Sequence, residues 1–348
     1  MTRFRLLADD LTGALDTAAR FCPAFGPVAV GWADDPAAPV LAVDTGTRET
    51  DAGGARARVE ALAPALAGAD LAFKKLDSLL RGHVAAEIAA CLRDGWWDAV
   101  VIAPAFPAQG RVTRHGRQLA HGSDVGVDLA ADLAREGVPV ARRRPGDALP
   151  PGASLWDAET DTDLTAIAAL RRGRVLWCGT AGLAGALCAA LPRAWGPAGA
   201  RANDDIARPA IALIGSAHPV ALAQVAACRN RVVLDGGTPP IRDGAAVTVA
   251  LPDGMARADA AARIAEAFAA LLARLDRPGT LIVAGGETLR DVCAALDADG
   301  LVVDGEVAHG VPTSRLRGGR WDGVRIVSKS GAFGDAGLLA RLLDGEHA

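Results

Sequence analysis

Two adjacent carboxylates stand where chemistry would be expected. The segment Ala8–Asp16 reads ADDLTGALD and follows directly on an apolar run, Phe4–Leu7. Asp9 and Asp10 thus fall where a strand ends, and Thr12 and Gly13 where a helix begins. The carbonyl ends of parallel strands are where α/β proteins place ligands. Asp10 can cap the helix by accepting from backbone N–H groups. Capping accounts for one acid but not for two, because neighbouring side chains in an extended segment point apart.

Three further clusters follow in the first half. VDTGTRE, Val43–Glu49, brings Asp44 and Arg48 to a strand end, a pairing compatible with a polar, anionic ligand and equally with a surface ion pair. KKLDSLLRGHVAAEI, Lys74–Ile88, gathers Lys74, Lys75, Asp77, Ser78, Arg81 and His83 after the run Leu71–Phe73. Cationic and hydroxyl donors at one strand end suit a carboxylate or a phosphate, although Asp77 or Ser78 could be a plain helix cap. Residues 103–122 read as a long polar loop holding Gln109, Arg111, Thr113, Arg114, His115, Arg117 and His121, which suggests a substrate wall or lid. The histidines have no compact metal-ligand spacing, and no residue is assigned as a metal ligand.

The second half carries glycine turns instead. IGSAHP (Ile214–Pro219), AGGETL (Ala284–Leu289) and VSKSGAFGD (Val327–Asp335) each follow a strand-like run. Ser216 and Thr288 can cap helices. Gly285, Gly286, Gly331 and Gly334 can bring backbone donors close to an anion, and Lys329 supplies charge. Together they read as a phosphate-binding wall. Neither a GxxxxGK[ST] loop nor a GxGxxG fingerprint after the first strand is present. Acids and cations in one half and phosphate nests in the other are the division of labour that phosphoryl transfer needs.

Elements must position these groups. Phe4–Ala8, Val28–Trp32, Val40–Val43, Leu71–Phe73 and Ala99–Ala103 are apolar runs that predict strands covered on both faces. Helices are predicted over 12–21, 50–66, 83–93 and 124–135, then from about Asp161 and Ala181 after strands Ser154–Asp157 and Val175–Cys178. Residues 191–208, rich in Pro, Gly, Asn and Asp, form the best linker. The alternation then restarts with strands Ala210–Ile214, Val232–Asp235, Ala246–Leu251, Leu281–Ala284 and Val324–Val327, and helices over 219–228, 257–275 and 335–343. The expected fold class is α/β, two α/β domains with mainly parallel sheets and an active cleft between them.

Composition narrows the class. The chain has 348 residues, 51% hydrophobic and 22% charged, which is globular and long enough for two domains. A net charge of -4 disfavours a nucleic-acid partner. No apolar run is long enough to span a bilayer, and no signal core follows a basic start, so the expectation is a cytoplasmic protein with no membrane partner. None of the six cysteines forms a CxxC pair. Lys74, Lys75 and Lys329 are the only lysines in an arginine-rich chain, so each calls for a chemical reason.

In order and number these blocks resemble the four-carbon acid sugar kinase family. ADDLTGA, DTGTR, KKLDSLLRGH, PAFPAQGRVTRHG and WDAETDTDL match in the first half. GSAHPVALAQ, GGETL, HGVP and SKSGAFG match in the second. The resemblance implies a sugar-acid-binding domain over 1–200 and a nucleotide-binding domain over 201–348, with ATP and Mg2+ as cofactors. It implies a transfer from ATP to the terminal (4-) hydroxyl of an acid such as erythronate, threonate or a 3-dehydro form. The catalytic set would be Asp10, Asp77 and Lys74, with Asp10 favoured over Asp77 as base. Asp9, Arg48, Lys75, Ser78 and Arg81 would bind the acid, Arg81 gripping its carboxylate. Ser216, Gly285, Gly286, Glu287, Thr288, Lys329, Gly331 and Gly334 would line the nucleotide, with Glu287 near Mg2+ through water. Leu76, Glu287, Leu289 and His309 depart from the family pattern and leave the particular acid open. A non-kinase sugar-acid enzyme and a non-catalytic sensor are the alternatives, and a homodimer is the base-rate expectation.

Overall fold

A computed structural model describes residues 2–192, 206–237 and 239–345; most of the predicted linker lies outside the described residues. The chain divides between 196 and 197 into two compact units.

The first unit runs β1 (Phe4–Ala8), α1 (Leu11–Phe25), β2 (Val28–Gly31), β3 (Val40–Asp44), α2 (Ala52–Ala67), β4 (Leu71–Lys75), α3 (Val84–Leu92), β5 (Ala99–Ala103), β6 (Arg111–Arg114), β7 (Arg117–Ala120), β8 (Ser123–Asp124), α4 (Leu129–Arg135), β9 (Ala141–Arg143), β10 (Gly152–Trp156), α5 (Asp161–Ala168), β11 (Val175–Gly179) and α6 (Ala181–Ala189). Apart from β6, β7 and β8, its strands lie in the order β2-β3-β1-β4-β11-β5-β10-β9, all parallel. Phe4 stands opposite Val40 and Leu71, so β1, β3 and β4 start level. Both faces are covered, as the unbroken apolar runs require. Phe4 and Phe73 meet Phe21 of α1 on one face. Ala72, Leu76 and Ile102 join Val59, Ile88 and Leu133 of α2, α3 and α4 in the core on the other.

Residues 103–122 are not the extended loop that their polarity suggests. After a single 3-10 turn at Pro107–Gln109 they form an antiparallel ribbon, β6-β7-β8. His115 and Gly116 have φ of 52° and 72°, the left-handed pair that a two-residue hairpin demands.

The second unit runs β12 (Ala210–Ile214), α7 (Pro219–Ala227), β13 (Asn230–Leu234), β14 (Ala245–Val249), α8 (Arg257–Arg274), β15 (Thr280–Ala284), α9 (Gly286–Ala295), β16 (Gly300–Ala308), β17 (Val311–Arg317), β18 (Arg325–Lys329) and α10 (Leu338–Asp344). Strand order is β13-β14-β12-β15-β18-β17-β16. The first five are parallel, and β17 and β16 add an antiparallel hairpin that the sequence pattern did not predict. Because β12, β15 and β18 are neighbours, the three glycine turns that follow them share one end of the sheet. Among the described residues no helix is long and apolar enough to cross a membrane, and all six cysteines are buried thiols outside any disulfide.

Candidate functional site

Arg48 organises the charged end of the first unit. Its Nη2 donates to Asp9 Oδ1 at 2.8 Å and to Asp10 Oδ1 at 3.1 Å, and its Nε donates to Asp9 Oδ2. Its Nη1 lies 3.4 Å from Asp77 Oδ1. The backbone enforces the arrangement, because Arg48 N donates to Asp9 O at 3.1 Å. Gly82, at φ +80°, closes over the pair; a Cβ there would lie 3.2 Å from Asp9 Oδ2 and 3.3 Å from Arg48 Cδ. A side chain at Gly13 would collide with the Asp10 carboxylate and crowd Lys75 Nζ at 3.4 Å.

The three carboxyls differ in their proton affinity. Burial pushes Asp9 up, but the Arg48 hydrogen bond and the charges of Arg48, Lys74 and Lys75 outweigh it and hold the group below the usual range. Asp10 is raised, first by burial and then by the Asp9 charge, against the pull of Arg48. Its side chain keeps 28% exposure, against 4% for Asp9, so it is the acid open to a ligand. It also caps α1, accepting from Gly13 N at 2.9 Å. Asp77 is opposed by burial yet held well below the usual range by the Arg81 hydrogen bond and the Arg48 and Arg81 charges. Arg81 grips it through both Nη2 (2.7 Å) and Nε (3.0 Å).

The two lysines of β4 separate. Lys75 Nζ donates to Leu76 O at 2.7 Å on the side of Gly13 and Asp10. Lys74, expected among the catalytic groups, is wholly buried, its Nζ 2.6 Å from Glu87 Oε2 on α3. Glu87 also accepts from Thr47 Oγ1 at 2.5 Å, and Thr47 lies 2.7 Å from Thr45 Oγ1. The partner was missed from sequence; its signal is a lone acid in the otherwise apolar helix VAAEIAACL. Leu76, where the family pattern has Thr, packs into the apolar core.

The ribbon is tied to this site through Gln118, also missed from sequence. Buried Gln118 donates to Ser78 O at 2.9 Å and Pro104 O at 3.1 Å and accepts from Thr113 Oγ1 at 2.8 Å. Ser78 thus enters through its carbonyl. Arg114 and Arg117 instead form exposed ion pairs with Glu159 and Asp124.

In the second unit the three turns pack on one another. A side chain at Gly215 would collide with Thr288, and one at Gly331 with Ser216. Gly285 has φ +117°, and a Cβ there would lie 3.0 Å from Thr288 Oγ1. Gly285 N donates to Lys329 O at 3.1 Å, joining the second turn to the third. No side chain caps α9, which leaves the amides that start at Gly286 for an anion. Lys329 is buried, with Nζ 3.5 Å from Gly331 O, and burial lowers its pKa to about 8. The Gly334 loop is held by Gln224, which donates to Phe333 O at 3.1 Å and Asp335 O at 2.8 Å. Glu287 turns outward to Arg257 at 2.8 Å.

Fold and geometry define an α/β protein with a cluster of paired acids and cations in one unit and three packed glycine turns in the other. The comparisons name the two halves. Residues 4–142 match the family model "Sugar-binding N-terminal domain" and residues 238–339 match "Nucleotide-binding C-terminal domain". A D-threonate kinase of Bordetella bronchiseptica is 32% identical, over 97% of this chain and 95% of its own. A 3-oxo-tetronate kinase of Methylobacterium radiotolerans is 28% identical, over 97% and 98%. A solved structure from Salmonella typhimurium shares the fold at a TM-score of 0.79 and 20% identity, covering 100% of both chains. The chain belongs to the four-carbon acid sugar kinase family.

Proposed function

We propose that the protein is an ATP-dependent kinase that phosphorylates the terminal (4-) hydroxyl of a four-carbon sugar acid such as 3-dehydrotetronate, erythronate or threonate. The observation that carries this reading is Asp10. It is a partly open carboxylate of raised proton affinity, held by Arg48 in the half that matches a sugar-binding domain. The kinase names of full-length relatives support it.

In this reading the acid lies against Asp10, Lys75, Ser78 and the Asp77–Arg81 turn. ATP is the second substrate and supplies the γ-phosphoryl group. As the hydroxyl oxygen bonds to phosphorus, the bond to the ADP oxygen breaks and the hydroxyl proton passes to Asp10. Its raised proton affinity makes Asp10 the better of the two to take the hydroxyl proton, whereas Asp77, held ionised by two guanidiniums, is the poorer base. Asp9 fixes Arg48, and Lys74 with Glu87 sets the strand beneath. The glycine turns, the α9 amides, Ser216, Thr288 and Lys329 hold the phosphates. The described residues contain no group of three acids, histidines or cysteines able to hold a metal ion, and Glu287 is committed to Arg257. They build no all-protein cage, and Mg2+ would arrive with the ATP phosphates, whose charge it would offset while keeping several of its waters.

The test is ADP release with Mg-ATP across the erythronate and threonate stereoisomers and their 3-oxo forms, with product phosphate located by NMR. Acid-dependent ADP release with a 4-phosphorylated product is expected. Turnover without ATP, or acid binding with no transfer, would replace the kinase with another sugar-acid enzyme or with a sensor.

A further inference from the structure

Three buried cations in the first unit carry counter-ions. Arg5 has Asp34 at 3.0 Å, Arg48 has Asp9, and Lys74 has Glu87. Arg111 differs. Its Nε is buried without a hydrogen-bond partner, and its one side-chain hydrogen bond is a long one, Nη1 to Gln109 Oε1 at 3.4 Å. No carboxylate of the described residues lies within ion-pair distance of it. Arg111 is half-buried, and a charged donor whose Nε is withdrawn from water without a partner is costly, so the group is suited to take an anion.

Its placement is built, not incidental. Arg111 opens β6 and exchanges two backbone hydrogen bonds with Phe106, at 2.7 and 3.2 Å. Gly110 before it is left-handed at φ +64°. Gln118 then fastens the ribbon to Ser78 O. The guanidinium is thereby brought within electrostatic reach of Asp77 and Arg81. Arg81, the residue expected to grip the substrate carboxylate, already spends Nε and Nη2 on Asp77 and is 63% exposed. Asp9, Asp10 and Asp77 against Arg48, Lys75, Arg81 and Arg111 leave one positive charge, enough for one carboxylate.

We propose that Arg111 binds the substrate's carboxylate and so restricts the enzyme to sugar acids over neutral polyols and amides. Burial lowers the proton affinity of Arg111, as befits a cation whose anion comes with the ligand. The inference rests on the sugar-acid reading above and adds the residue that reads the acid.

The test compares a four-carbon acid substrate with its neutral amide in the full-length protein, wild type, Arg111→Met and Arg111→Lys. Calorimetry without ATP and steady-state kinetics are both recorded, with thermal melts alongside. Arg111→Met should raise Kd and KM for the acid about 30-fold or more. Its parameters for the amide should move less than about 3-fold, so that discrimination collapses. Arg111→Lys keeps the charge but not the fork and should fall between, which preserves the test if the Met variant fails to fold. An acid preference unchanged in either folded variant overturns the proposal, as does an equal loss for acid and amide. Acid binding that depends on Arg111 without phosphoryl transfer would instead fault the kinase reading and sustain this site.

Discussion

Lys74 and Lys75 are consecutive on β4, yet their ammonium groups serve opposite faces: Lys74 meets Glu87 at 2.6 Å, and Lys75 turns toward Gly13 and Asp10. Two substitutions of one kind should therefore fail differently. Lys74→Met leaves Glu87 charged and unpaired in the core and should destabilise by about 3–5 kcal/mol. Lys75→Met should keep its melt within a few degrees while kcat falls on the order of 100-fold. Urea denaturation beside steady-state kinetics checks both. Equal stability losses would mean that the strand does not sort the two lysines.

Asp10 and Asp77 share Arg48 but should respond oppositely to pH. Asp10 has its folded pKa raised, so the folded state holds a proton that the unfolded chain has released. That contribution to stability is present at low pH and is lost as pH rises through the folded pKa. Asp10→Asn, which can still cap α1, should thus be as stable as wild type or more so at pH 7. Its kcat should fall at least about 100-fold, and the acid limb of the kcat profile should vanish. Asp77 has its folded pKa lowered. Its stabilisation is present above the unfolded value and lost as pH falls toward the folded one, so Asp77→Asn should be destabilised at pH 7, with the gap to wild type beginning to narrow as pH falls below about 4. Melts from pH 3 to 8 decide the matter; a destabilised Asp10→Asn with normal turnover would remove Asp10 as base.

The strands that lead to both sites were legible because buried parallel strands are plain apolar runs. The ribbon was not. Its two-residue turn is His115–Gly116 in place of the usual Asn or Asp with Gly, so 103–122 reads as loop. The β16–β17 hairpin was hidden in the same way, since two register shifts break its alternation. The charged clusters were found as groups, but their pairing was not. Ending the strand at Phe73 placed Lys74 in a loop; carrying it to Lys75 makes alternation send Lys74 inward. Arg81 looked free for a ligand because nothing local in the sequence shows that it grips Asp77 four residues back.

Gly285 combines a φ of +117° with a close approach to Thr288. Gly285→Ala is strained whatever space is made, and it displaces the amides that begin α9. ATP affinity should fall about tenfold or more, while binding of the sugar acid alone stays unchanged. Separate titrations of the two ligands read this directly. Loss of acid binding as well would mean a general folding defect.

Lys329 is a buried ammonium whose pKa is lowered by burial to about 8. Between about pH 8 and its ordinary 10.5 the unfolded chain keeps a proton that the folded chain has released. This group's contribution to stability therefore rises with pH across that window, and its penalty is fully present below it. Lys329→Met removes the penalty. The variant should exceed wild type at pH 7 by on the order of 2 kcal/mol, with the gap closing by pH 10. Buried thiols such as Cys91, pushed up to about 12, and Cys228, to about 11, act in both proteins and cancel in the difference. ATP should show the other side of the same charge. Wild-type affinity should decline as pH rises through about 8, whereas Lys329→Met should bind weakly at every pH with no such decline. A variant less stable than wild type at pH 7, with unchanged ATP affinity, would take Lys329 out of the phosphate site and make it a packing residue.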